Sequence, residues 1–143
     1  MKKLLGLLLF VAIFALSACG GGVDYPVEYF NATVTGSEVD GDRVTLTIEG
    51  EGFYPMTAEV VFTNGSMTHF DVTDHRESAQ WGGLVIGDGD IQAAIVNNAS
   101  NLNAINVSEY AEIDATASAT ATVEALLDIA RAAVEHFGEY YAD

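Results

Sequence analysis

Residues 114–122 read Asp-Ala-Thr-Ala-Ser-Ala-Thr-Ala-Thr, and they run straight into an amphipathic segment whose apolar spacing starts a helix at about Val123. Small residues and hydroxyls ahead of a helix suit one kind of chemistry, the holding of an anion. The first backbone N–H groups of a helix lack intrahelical partners, and the macrodipole is positive at that end. A phosphate held here, or joined to Thr120, has a physical reason to be there. Thr122 is placed either to cap the helix or to donate to the phosphate. Plain capping is the competing use of the same threonines. A loose linker is the other reading of residues 115–122, but a linker inside a small domain, just before its best helix, runs against ordinary loop economy.

Other chemistry finds less support. His69, His75 and His136 are scattered and share no metal-ligand spacing. Asp40-Gly-Asp42 and Asp88-Gly-Asp90 resemble the start of a calcium loop, yet neither continues to the distal glutamate, so both read as turns. No Gly-x-Ser-x-Gly elbow, Cys–His pair or phosphate-binding Walker loop occurs.

The N-terminus reads as a targeting segment rather than part of a fold. Lys2 and Lys3 precede an apolar run from Leu4 to Leu16, too short to span a bilayer but suited to the core of a signal peptide. The run ends in Leu16-Ser17-Ala18-Cys19, which resembles the lipobox of bacterial lipoproteins. That resemblance implies cleavage after Ala18, acylation of the Cys19 thiol and a membrane held through the lipid anchor. Cys19 is the only cysteine, so no internal disulfide forms. Gly20-Gly21-Gly22 opens a flexible tether, taken as residues 19–26. Residues 27–137 then form one domain, with 138–143 as a tail. All 21 acidic residues lie after the leader, opposed there only by Arg43, Arg76 and Arg131. Such a surface repels nucleic acid and anionic lipid.

The elements that position the hydroxyl stretch can be read from periodicity. Val44-Thr-Leu-Thr-Ile48 alternates as a half-buried strand, and a Gly50-Glu-Gly52 break follows it. Residues 57–63 and 67–73 are two more strands, joined at Asn64-Gly65, a pair suited to the two positive φ angles of a type I′ turn. The glycine-rich residues 82–90 read as turn. Residues 91–99 read as a short helix capped by Asp88 or Asp90, and residues 97–110 as loop. Val123, Leu126, Leu127, Ala130, Val134 and Phe137 recur at helical spacing, with Glu124, Asp128, Arg131 and Glu135 on other faces. Strands first and helices after predict an α+β domain: an antiparallel β-meander packed by a short helix and a C-terminal amphipathic helix.

Three stretches, in order, resemble the FMN-binding domain of the covalent-flavin subunits of sodium-pumping NADH:quinone reductase and Rnf-type complexes, a domain also found in extracytoplasmic flavoprotein lipoproteins. Residues 50–62 resemble its glycine-containing turn and first long strand. Residues 64–78 resemble its hairpin, ending in His75-Arg-Glu77-Ser78 where the family has a His-x-Glu-Thr-like sequence. Residues 114–125 resemble the pattern Asp-x-x-Ser-Gly-Ala-Thr-x-Thr. The resemblance implies that an FAD-dependent flavin transferase attaches FMN through a phosphoester to Thr120. Asp114, Ala119, Thr120 and Thr122 match the pattern; Ala117 and Ser118 replace its serine and glycine, and glycine there permits close backbone approach. The implied cofactor site is therefore Asp114, Ser118, Ala119, Thr120 and Thr122, with Trp81, Phe53 and Tyr54 as surfaces for the flavin ring. The expected function is electron transfer between a membrane donor and an extracytoplasmic acceptor by a lipid-anchored protein that is no self-contained enzyme. Non-covalent flavin is one alternative; an interaction lipoprotein that keeps the fold without a cofactor is the other.

Overall fold

The computed structural model describes residues 23–114 and 117–142, and at positions 114, 117 and 118 it describes the backbone alone. Cys19, the leader and the glycines that follow lie outside the described residues. Five antiparallel strands form a meander in chain order: β1 (Val27–Tyr29), β2 (Ala32–Asp40), β3 (Arg43–Glu51), β4 (Pro55–Thr63) and β5 (Ser66–His75). The helices follow: α1 (Gly82–Asp88), α2 (Asp90–Asn97), a 3₁₀ turn (Leu102–Ala104), α3 (Val107–Ala111) and α4 (Thr120–Tyr140). Between α3 and α4, the short strands β6 (Glu112–Asp114) and β7 (Ala117–Ser118) pair antiparallel. This is the expected α+β architecture.

The β4–β5 hairpin turns as its sequence requires. Asn64 has φ 52° and Gly65 has φ 83°, the left-handed backbone of a two-residue I′-type connection. Asp40-Gly41-Asp42 turns β2 into β3 with Gly41 at φ 62°, and Asp88-Gly89-Asp90 separates α1 from α2 with Gly89 at φ 75°. The first Asp-Gly-Asp segment is a turn; the second is a one-residue break, with Asp88 closing α1 and Asp90 opening α2.

Four local readings are corrected. Gly50 does not break a strand: it pairs with Ala32 and Met56 inside β3, and the turn falls at residues 52–54. A Cβ at Gly50 would come within 2.7 Å of Ile129 Cγ1, so glycine lets α4 lie close on the sheet. Residues 82–88 are helical, because Val85 and Ile86 bury against the core and outweigh the poor helix propensity of the glycines. Helix α2 is preceded by Gly89 rather than by an aspartate cap, with Asp90 in its first turn. Residues 97–110 hold the 3₁₀ turn and the start of α3, which Asn106 caps by accepting from the Ser108 N–H at 3.2 Å.

Strands β1 and β2 are additions to the sequence reading. In β2 the register shifts between Val34 and Gly36, so the apolar positions do not keep one alternating phase. Val34 is buried before the bulge, and Ser37 takes the next buried position after it.

Helix α4 is the spine. It packs on β1, β2, β3 and β4 and also meets α1, α2 and α3. Of the predicted stripe, Val123, Leu126, Leu127, Ala130 and Phe137 are buried, and Val134 is half-buried. Burial extends to Thr122, Ala125, Ile129, Ala132, Ala133 and His136, because neighbours lie on more than one side. The helix runs through Tyr140, and at the other end of the chain Val23 is already buried, so packed structure extends on both sides of 27–137.

Candidate functional site

The hydroxyl stretch folds back on itself before α4. Glu112 pairs with Ser118, Asp114 pairs with Ala117, and the Ala119 N–H donates to the Ala111 carbonyl at 2.8 Å. Ser118 therefore lies in a strand, a conformation open to any L-residue. The side chains of Asp114 and Ser118 lie outside what is described.

Helix α4 begins at Thr120, three residues earlier than the apolar spacing predicts, so both threonines sit in its first turn. Ala119 is the N-cap residue, is fully buried and offers no side-chain cap; the first intrahelical bond runs from the Val123 N–H to its carbonyl at 3.1 Å. Thr120 is exposed. Thr122 does not cap the helix. Its side chain turns inward, is completely buried, and its Oγ1 has no hydrogen-bond partner among the described residues. A buried hydroxyl without a partner costs roughly 1–3 kcal/mol and calls for an explanation.

Two loops close against this turn. Gly52 sits where a Cβ would overlap Glu77 Oε1 and stand 3.3 Å from Thr122 Cα. Gly82 sits where a Cβ would overlap Thr122 Oγ1 and come within 2.9 Å of Glu77 Oε2. Both positions therefore need glycine for close approach rather than for unusual φ. Glu77, from the His75-Arg76-Glu77-Ser78 segment after β5, is buried between these glycines. Its Oε1 accepts from the Phe53 N–H at 3.1 Å and the Tyr54 N–H at 3.4 Å. One carboxylate thus ties the β3–β4 turn to the start of the helical layer. On the far side of that bend, the Gly83 N–H donates to the Ser78 carbonyl at 2.8 Å.

The glycines carry aromatic neighbours outward. Phe53 is 66 % exposed, Tyr54 51 % and Trp81 43 %, with Leu84 one turn into α1 also exposed. These exposed side chains flank Gly52 and Gly82 in sequence, the two glycines packed on Thr122 and Glu77. Three separated stretches of sequence (50–54, 77–84 and 119–122) thus converge on one turn of helix. Sequence reasoning named Thr120, Thr122 and the aromatics but not the roles of Gly52, Gly82 and Glu77. Their only signal was local: glycines beside aromatics, and a single acid in the segment that follows β5.

At the opposite end of α4, His136 is completely buried. Its Nε2 lies 3.1 Å from Tyr25 Oη and its Nδ1 lies 3.1 Å from Tyr29 Oη. Burial pushes the imidazole down from 6.5 to about 4, against the pull of Glu139. Here the scattered-histidine reading gave no hint of a polar cluster.

Among the described residues, no helix is long and apolar enough to cross a membrane. No protein-family model, curated protein or solved structure matches the chain.

Proposed function

We propose that this chain is a lipid-anchored, extracytoplasmic electron-transfer flavoprotein that carries FMN as a phosphoester on Thr120. The observation that supports the reading best is the first turn of α4, which has no side-chain cap and carries Thr120 exposed. The exposed Phe53 and Trp81 are chain neighbours of Gly52 and Gly82, the two glycines that pack on Thr122 in that turn. Each feature meets a need of a flavin phosphate: an exposed threonine to carry it, a positive helix end, and an apolar surface for a ring.

In this reading the residues divide the work. Thr120 provides the acceptor oxygen. The first N–H groups of α4 hold phosphate oxygens, and the buried Thr122 packs the turn against Gly52 and Gly82. Glu77 does not face the phosphate as a free charge, because the Phe53 and Tyr54 N–H groups engage one of its oxygens; it holds the aromatic loop in place. Phe53, Tyr54 and Trp81 offer ring contacts. The flavin, when bound, supplies the one- and two-electron chemistry, and the protein supplies position and electrostatics. The formal charge of -16 disfavours a further negative charge on the cofactor and so lowers its potential. The partners are a flavin transferase, a membrane donor and an extracytoplasmic acceptor, reached from a Cys19 lipid anchor.

The exposed aromatic cluster also suits a cofactor-free interaction lipoprotein, and one experiment separates the two. Wild type and variants are co-expressed with an active flavin transferase and run on a denaturing gel. Flavin fluorescence should stay with wild type, disappear in Thr120→Ala and survive at least in part in Thr122→Ala. A colourless wild type would favour the interaction protein. Fluorescence retained in Thr120→Ala but lost in Thr122→Ala would move the attachment to Thr122.

A further inference from the structure

The C-terminal end of α4 holds a cluster that the flavin reading does not use. Four of the six tyrosines, Tyr25, Tyr29, Tyr140 and Tyr141, surround His136, with ring centroids 4.7–6.0 Å from the imidazole. Two of them come from the N-terminal segment that joins the domain to the leader. The backbone pairing of that segment is short. Strand β1 makes only three residue pairs, Val27–Val34, Glu28–Thr33 and Tyr29–Ala32, all on the outer edge of the sheet. Strands so short do not hold a place by pairing alone.

We propose that Tyr25, Tyr29 and His136 form a proton-released clasp, in which uptake of one proton by His136 frees the Val23–Tyr29 segment from the end of α4.

The hydrogen bonds carry the argument. Tyr29 donates to Glu139 Oε2 at 2.7 Å, so its oxygen is left to accept from the imidazole. That pattern assigns the single proton of a neutral ring to Nδ1 and leaves Nε2 as a lone pair facing Tyr25 Oη. Tyr25 donates to Ser37 Oγ at 2.8 Å, its oxygen lies 3.1 Å from Nε2, and Ser37 Oγ in turn lies 2.7 Å from Tyr141 Oη. The imidazole sits in a dry site, completely buried. A charged one is not compensated there: no carboxylate contacts either ring nitrogen, and Tyr29 stands between the ring and Glu139.

The groups around the ring are few. The N-terminal segment contributes Tyr25, β1 contributes Tyr29, and β2 contributes Ser37, which does not titrate. Helix α4 contributes Glu139 and Tyr140, and Tyr141 follows it. Asp24 and Glu135 stand behind, acting on Tyr140 and Tyr29. These carboxylates favour an imidazolium, but burial outweighs them and holds His136 down to about 4. Burial also raises Tyr25 and Tyr29, so neither phenol ionises near neutrality.

The sign follows from linkage. Docked, the imidazole resists protonation; undocked, it regains its ordinary value near 6.5. The undocked form therefore binds more protons between about pH 6.5 and about pH 4, and acidification across that window favours release. Release would free seven residues, adding at most about 25 Å of reach to the connection with the N-terminus. What that reach does for a membrane tether rests on the lipid-anchor reading; the clasp itself does not.

Hydrogen exchange of the full-length chain in detergent tests the proposal, with rates corrected for intrinsic pH dependence. The opening equilibrium of the β1–β2 amides should rise roughly 30-fold from pH 7.5 to pH 5, while the β3–β4 amides hold steady. In His136→Phe that rise should vanish, whatever the absolute opening. Should this variant not fold, NMR of the wild-type His136 ring decides instead, with titration near 4 while the strand stays protected. Equal opening at both pH values, a rise that persists in His136→Phe, or a ring that titrates near 6.5 with β1 still protected would overturn the clasp.

Discussion

The two ends of α4 bury the same kind of group in opposite ways. Thr122 and His136 are both fully buried polar side chains, about 21 Å apart along one helix at 1.5 Å per residue. His136 has both ring nitrogens within hydrogen-bond reach of tyrosine hydroxyls. Thr122 has an oxygen with no partner among the described residues, under glycines that leave no room for a side chain. A satisfied cluster contributes to holding the chain together. An unsatisfied one is a cost that the packing around it must offset. The two ends therefore differ in what the loss of one hydroxyl should cost.

The largest effect should come from the satisfied end. His136→Ala leaves a cavity in the core and two tyrosine hydroxyls without their partner, so the domain should lose about 3–5 kcal/mol in urea titration. A loss under 1 kcal/mol would show that the cluster contributes little. The close-packed end should respond next. Gly82→Ala drives a Cβ into Thr122 Oγ1 and the Glu77 side chain, at a cost of about 1–3 kcal/mol. The same variant should reduce flavin attachment far more than Gly87→Ala, since a Cβ at Gly87 meets nothing within 4 Å. Equal attachment in both would detach Gly82 from the site.

The sharpest comparison removes one hydroxyl from each end. Tyr29→Phe strips the His136 Nδ1–H of its acceptor and should cost about 1–3 kcal/mol. Thr122→Val removes an oxygen that has no partner to lose, so stability should stay within about 1 kcal/mol of wild type or rise. If Thr122→Val destabilises as much as Tyr29→Phe, the Thr122 hydroxyl is partnered and the contrast fails.

Much of the scaffold is legible in the sequence because local chemistry and tertiary structure agree there. Asn64-Gly65 takes the two positive φ angles that its residues favour, and the apolar stripe of α4 meets the sheet. Legibility fails where packing overrides local preference. Four glycines between 82 and 89 read as turn, yet Val85 and Ile86 are drawn into the core and α1 forms. The bulge between Val34 and Gly36 interrupts the alternation that would have marked β2. The site is split in the same way. Thr120 and Thr122 stand out by their motif, but the closeness of Gly52, Gly82 and Glu77 to Thr122 depends on three segments meeting in space. His136 reads as one more scattered histidine because its partners lie more than a hundred residues away, at Tyr25 and Tyr29.

The central claim is that Thr120 in the first turn of α4 carries a flavin phosphate. Intact-mass and peptide mass spectrometry of the protein purified from its own host test it most directly. The predicted result is a mass increase of one FMN less one water, mapped to Thr120 and accompanied by yellow colour. An unmodified Thr120 in protein made alongside an active flavin transferase would contradict it.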